Sequence, residues 1–292
     1  MTHLRIGARA AVTALTLPVV LLAMLVMAPS ATSQQPRDPR EVIRQIQELA
    51  WLRGPAEANI GGLATIKIPK GLSFLDGPNT RRFLELNLNP PRDHHYTLSS
   101  QDFSWFAVFH FENSGYVKDD EKLDPDALLA SLKDGDARAN DERKRLGMPP
   151  IYTVGWHVPP HYDGETKRLE WGVQLRQSDV GSLVVNYTIR ILGRQGVMHV
   201  TLVSDPQDLD KDIVVFKSAL GGYGFVAGER YAEFRTGDRV AEYGLAALVL
   251  GGAAAVATKT GFGKALIKFI GVGVMALFGA ILAFFRKFAR RS

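Results

Sequence analysis

The stretch Leu183-Val184-Val185-Asn186-Tyr187-Thr188-Ile189-Arg190-Ile191-Leu192-Gly193-Arg194-Gln195-Gly196-Val197-Met198-His199-Val200-Thr201-Leu202-Val203 decides the fold. Leu183, Val185, Tyr187, Ile189 and Ile191 alternate with Asn186, Thr188 and Arg190, the two-residue period of a strand with one buried and one wetter face. Gly193 to Gly196 reads as a tight hairpin connection, and Val197 to Val203 as the returning strand. Alternation of this kind points to an antiparallel sheet.

Outward from this hairpin the pattern continues. Leu169, Trp171, Val173 and Leu175 alternate with Glu170, Gly172, Gln174 and Arg176, and Tyr152 to Val158 precedes them as another strand. Trp105 to Phe111 is strongly β-prone, and Ala64 to Ile68 alternates until Pro69 and Gly71 end it. Helical spacing marks Pro39 to Leu52 through Ile43, Ile46 and Leu49. Pro78 to Leu88 suits a short helix, and Asp208 to Leu220 a closing one. Asp124 to Leu146 reads as a helix with Pro125 in its first turn and a bend near Gly135. The expected fold is α+β: an antiparallel sheet with helices packed on one face, followed by a C-terminal membrane helix or helical hairpin.

The charge distribution supports that last element. The 292-residue chain carries a net +5 and has no cysteine. The 34–240 segment holds 26 Lys/Arg against 29 Asp/Glu, whereas residues 241–292 hold 7 against 1. The basic excess therefore lies at the apolar ends, where it reads as membrane topology, and a slightly acidic middle argues against nucleic acid as a partner. Lack of cysteine excludes disulfides, thiolate metal sites and cysteine nucleophiles.

Residues 1–33 read as a signal sequence or an uncleaved anchor: Arg5 and Arg9, an apolar run from Ala10 to Met27, then small residues at Ala28, Ser30, Ala31 and Ser33. Residues 34–240 are the expected exported domain. In the 241–292 segment, 243–257 is a marginal span and 266–285 the stronger one, with Arg286, Lys287, Arg290 and Arg291 as a stop-transfer tail. The expected location is the inner membrane, with the domain on the periplasmic side and the lipid bilayer, or another envelope or membrane protein, as partner. In the alternative topology both segments form a hairpin packed through Ala247, Gly251 and Ala255.

Several constellations bear on chemistry. His157, His161 and Asp163 have ligand types for zinc, and would serve a metal-dependent hydrolase, but Pro159-Pro160 disfavours the helix on which such spacing usually sits. His94-His95 reads as an exposed loop. Asp119-Asp120-Glu121 with Asp124 and Asp126 lacks the glycine of an EF-hand and reads as a solvated helix start. Neither a P-loop nor a Gly-x-Ser-x-Gly motif is present. The wetter sheet face gathers Gln174, Asn186, Arg190 and His199, which with Arg194 are the candidate ligand-binding residues; no cofactor is expected. The leading expectation is a non-catalytic binding or interaction domain; a subunit docking through residues 243–257 is the other reading.

Ile68-Pro69-Lys70-Gly71 through Phe74-Leu75-Asp76, Gly115-Tyr116-Val117-Lys118-Asp119-Asp120, Leu169-Glu170-Trp171, the run Asn186 to Arg194, and Ala241 to Ala247 together resemble the domain of unknown function 2167 family. The resemblance covers about residues 40–260. It implies a membrane-anchored bacterial envelope protein and supplies no activity or catalytic residues. The strand order with a closing helix also looks like the antiparallel sheet of photosystem-P-type and Mog-type folds, which implies binding rather than catalysis.

Overall fold

A computed structural model describes residues 38–87, 89, 91–145, 149–177 and 183–251. Its centre is an eight-stranded sheet in which every neighbouring pair is antiparallel, in the order β1-β4-β5-β6-β10-β9-β8-β7. These strands are β1 Leu52–Arg53, β4 Leu72–Leu75, β5 His95–Ser100, β6 Trp105–Glu112, β7 Ile151–Asp163, β8 Arg168–Gln177, β9 Leu183–Leu192 and β10 Val197–Ser204. A second, three-stranded sheet is formed by β2 Ala56–Ile60, β3 Ala64–Ile68 and β11 Tyr223–Phe225. The quoted hairpin is β9-β10, closed by Gly193 donating to the Gly196 carbonyl at 2.8 Å. Gly196 has no room for a side chain, because a Cβ would strike the Glu112 carbonyl.

Helices lie on both faces of the sheet, which corrects the expectation of one helical face. The reason is that β6, β9 and β10 are largely buried along their length, so both sets of alternating side chains need cover. On one face Trp105, Phe109, Tyr187, Ile189 and Val200 pack under the small sheet and under α4 (Leu209–Leu220), whose Phe216 meets Trp105 edge-on at 6.0 Å. The other face has two separate apolar covers. At one end α1 (Pro39–Gln47) and α2 (Gly77–Leu86) bury Phe106 and Val203 beneath Ile46, Phe83 and Leu84. At the other end Leu169, Trp171, Leu192 and Val197 pack against Leu128, Tyr231 and α5 (Leu245–Val249).

Leu245, Leu248 and Val249 are thus core residues, so the domain boundary expected at 240 falls inside the fold. Ala241 donates to the Tyr116 carbonyl at 2.9 Å and Ala246 to Glu121 at 3.0 Å, stitching this segment down. The expected signal sequence and the span at 266–285 lie outside the described residues. Among the described residues no helix is long and apolar enough to cross a membrane.

β7 runs through Pro159-Pro160, longer than alternation suggests. It is an edge strand with register shifts between Val158 and His161, and edges and bulges tolerate residues that cannot donate. α3 (Pro125–Arg145) passes unbroken through Gly135 and shields that edge with side chains. Asn140 accepts from Ile151 N and donates to Ile151 O, both at 2.8 Å. Asp136 accepts from Thr153 N at 2.7 Å and Thr153 Oγ1 at 2.8 Å. A helix here imitates a ninth strand and blocks edge-to-edge pairing. Asn140→Ala and Asp136→Ala should each cost about 1–3 kcal/mol in chemical denaturation and together promote association visible by light scattering. Variants as stable and monodisperse as the wild type would show that α3 does not guard the edge.

Candidate functional site

Register aligns a row of residues across the second face. His95 lies opposite His110, His110 opposite His199, His199 opposite Arg190, Arg190 opposite Leu169 and Leu169 opposite Tyr162. The row's polar part, on β5, β6, β10 and β9, falls between the two apolar covers. His94 adopts a left-handed conformation (φ 57°), which turns the chain so that His95 opens β5. His95 therefore belongs to the sheet, not to the loop expected from its sequence.

Neighbouring strands lie about 4.8 Å apart, so the rings touch in sequence. His95 stacks on His110 at 4.7 Å and 13°, and His110 meets His199 at 4.5 Å and 36°. His95 Nδ1 is 2.8 Å from the Asp93 carbonyl. A carbonyl only accepts, so neutral His95 carries its proton on Nδ1 and leaves Nε2 as an acceptor. Stacked imidazoles face each other rather than converging on a shared ion, and among the described residues no three His, Asp or Glu side chains are placed to hold a metal.

Burial sets the electrostatics. It pushes His110 well below the ordinary histidine value, assisted by His199, His95 and Arg190; only Glu112 opposes. His199 is held well below by burial and then by Arg190 and His95. His95 is lowered chiefly by burial. At neutral pH the three rings are uncharged, and the charges of the row are Arg190 and Glu112. Glu112 Oε1 accepts from Tyr243 Oη at 3.0 Å. Its Oε2 lies 2.9 Å from His199 Nε2, which makes no hydrogen bond among the described residues.

Arg190 is the most unusual member. Its Nη1 donates to the Ile189 carbonyl at 3.3 Å, and its Nε is buried without a partner among the described residues. Its guanidinium lies 5.2 Å over the Trp171 ring. Burial brings its pKa down to about 10, with Glu112 and Tyr243 acting in the opposite direction, so it remains a cation at neutral pH.

Of the residues expected from sequence, Arg190 and His199 are brought together. Asn186 shares their face but stands four residues along β9 from Arg190, roughly 13 Å away. Gln174 does not join them: it is in register with Val185, on the opposite face, because the face of each β8 residue follows its β9 partner. Arg194 is engaged structurally, donating Nε and Nη2 to Asp238 at 2.7 Å each and Nη1 to the Gly228 carbonyl at 3.1 Å.

The zinc candidates are engaged separately. His157 pairs with Asp210 at 2.7 Å, Asp163 accepts from Glu165 N and Thr166 Oγ1 in its own turn, and His161 sits in register with Glu170. Asp124 caps α3 by accepting from Asp126 N and Ala127 N, both at 3.1 Å, as an acidic helix start should. Sequence reasoning missed His95, His110, Glu112 and Tyr243. The signal available was the placement of His110 and Glu112 at alternate positions among the aromatics of β6.

The fold and its row define an α+β domain whose antiparallel sheet carries a polar strip between two apolar covers. The chain belongs to the family of proteins of unknown function termed DUF2167, whose model matches residues 53–282. No curated protein matches it in sequence. Among solved structures it is similar to cyanobacterial PsbP (CyanoP) from Synechocystis sp. PCC 6803, at 8% identity and a TM-score of 0.34, over 59% of this chain and 92% of that one. A likeness of that extent carries no argument here.

The three histidines give the fold a pH dependence of definite sign. An unfolded histidine takes up a proton below about pH 6.5, whereas the folded rings resist it. Stability is thus retained above that pH and falls as pH drops below it, toward the lowered folded values. His110→Phe should reduce proton uptake on unfolding near pH 5.5 by about one, measured from the pH dependence of denaturation midpoints. An unchanged dependence would mean that His110 titrates normally in the folded protein.

Proposed function

We propose that this protein is a non-catalytic binding domain of the bacterial envelope, tethered to the inner membrane by its C-terminal segment, with the strip His95-His110-His199-Arg190 as its ligand site. The observation that carries the reading is Arg190, a half-buried cation whose Nε is buried without a partner among the described residues and whose Nη1 makes one long bond. A charge partly withdrawn from water and incompletely hydrogen-bonded costs free energy, so a ligand that completes its bonding recovers part of that cost. The apolar covers on either side supply rigid walls. Docking through residues 243–257 is disfavoured in its described part, since Leu245, Leu248 and Val249 already pack into the domain's own core. The hydrolase reading loses support from the separate engagements of His157, His161 and Asp163.

The envelope location rests on sequence: a basic start before an apolar run, and an apolar 266–285 segment before a basic tail. In spheroplasts, external protease should digest the domain and spare a tag after Ser292; loss of the tag from outside would overturn the one-span topology. Native mass spectrometry on protein released gently from its membranes should show a retained small molecule that is lost in His110→Phe. Retention in that variant would remove the strip as the site.

A further inference from the structure

We propose that the strip recognises its ligand through a carboxylate group gripped by Arg190, an inference that rests on the binding reading above. Three observations lead to it. First, the guanidinium has donors to spare: the long bond to the Ile189 carbonyl engages Nη1, and Nε has no partner among the described residues. The acid that acts on it, Glu112, has one oxygen engaged by the Tyr243 hydroxyl. Second, the guanidinium lies 5.2 Å over the Trp171 ring, and a planar fork held against an aromatic surface loses less freedom when it meets the two oxygens of a carboxylate.

Third, the charge inventory limits the anion. With the three imidazoles neutral, the row offers one positive charge, and Glu112 places a negative one beside it. With Glu112 counted the row is already neutral, so an incoming anion is held by the directed donors of Arg190 rather than by net charge, and a carboxylate adds the least negative charge. A phosphate near neutral pH brings more than one negative charge and is repelled by Glu112 more strongly than a carboxylate is. The rest of the ligand lies along the imidazoles, where the acceptor Nε2 of His95 suits a hydroxyl or amide donor. From Arg190 to His95 the row crosses three strand spacings, roughly 14 Å, room for more than the acid group alone.

The test is calorimetric titration of the full chain in detergent with four probes at matched ionic strength: propionate, N-acetyl-Ala-Ala with a free carboxylate, the same peptide as its C-terminal amide, and inorganic phosphate. The free-acid peptide should bind about tenfold or more tightly than its amide and than phosphate, and Arg190→Met should abolish that preference. Arg190→Lys, which keeps the charge but loses the fork, should weaken the acid peptide and covers the case in which the Met variant fails to fold. Propionate binding as well as the peptide would assign recognition to the carboxylate alone; weaker propionate binding would add the imidazole end. Equal binding of acid and amide, preference for phosphate, or no binding by any probe overturns the carboxylate inference. If the amide or phosphate then binds in a manner lost in His110→Phe, the binding reading stands without it; a ligand unaffected by His110→Phe contradicts both.

Discussion

The register of four central strands is the constraint on which the rest of the molecule depends. Side chains alternate with a strict period of two, so the pairing of β5, β6, β10 and β9 decides at once what enters the core and what lines the strip. In the observed register Phe109, Met198, Val200 and Ile189 go under α4 and the small sheet, and His95, His110, His199 and Arg190 go to the opposite face. A slip of one residue would send a histidine or the arginine into an apolar core and Phe109 onto the strip. The core therefore enforces the geometry of the polar row, and the row needs little energy of its own to stay aligned.

The covers explain why the row is polar and yet partly withdrawn from water. Two apolar clusters, one built by α1 and α2 and the other by α5 with Tyr231 and Leu128, bury the sheet on either side of it. Between them lies a band partly shielded from water, in which imidazoles resist protonation and the Arg190 guanidinium is short of partners. Glu112 is the member that links this band to the C-terminal part of the fold, through the hydroxyl of Tyr243 just before α5. The same residues that carry the chain toward its apolar end thus border the strip.

Much of the sheet was legible in the sequence. The alternation in β8, β9 and β10, the glycines of their hairpin and the aromatic run of β6 each combine a local propensity with the correct period. β4 and β5 were not, because Leu72–Leu75 is buried at every position and shows no alternation, and β5 begins at a histidine that follows a proline-rich turn. Without β5 the partner of His110 is invisible, and so is the row. Arg190 and His199 were legible because they punctuate two readable strands. Gln174 was misplaced because β8 alternates polar residues on the α4 face, where Glu170 is tied to Lys217 at 2.6 Å and Tyr187 at 2.9 Å. The helices were located by periodicity, but which face each would cover depends on long-range packing that no local pattern carries.

If the strip serves a ligand, it is kept at a cost in stability. Arg190 is the place where that cost is largest, since its packing on Trp171 could be kept by an uncharged side chain of similar length. The direct measurement is the chemical denaturation of ligand-free Arg190→Met beside the wild type. The variant should be more stable, by about 1 kcal/mol or more, because a cation with an unsatisfied buried Nε has been replaced by an apolar chain that still covers the indole. A variant clearly less stable than the wild type would show that Arg190 is a structural element of the sheet rather than a residue held for a ligand.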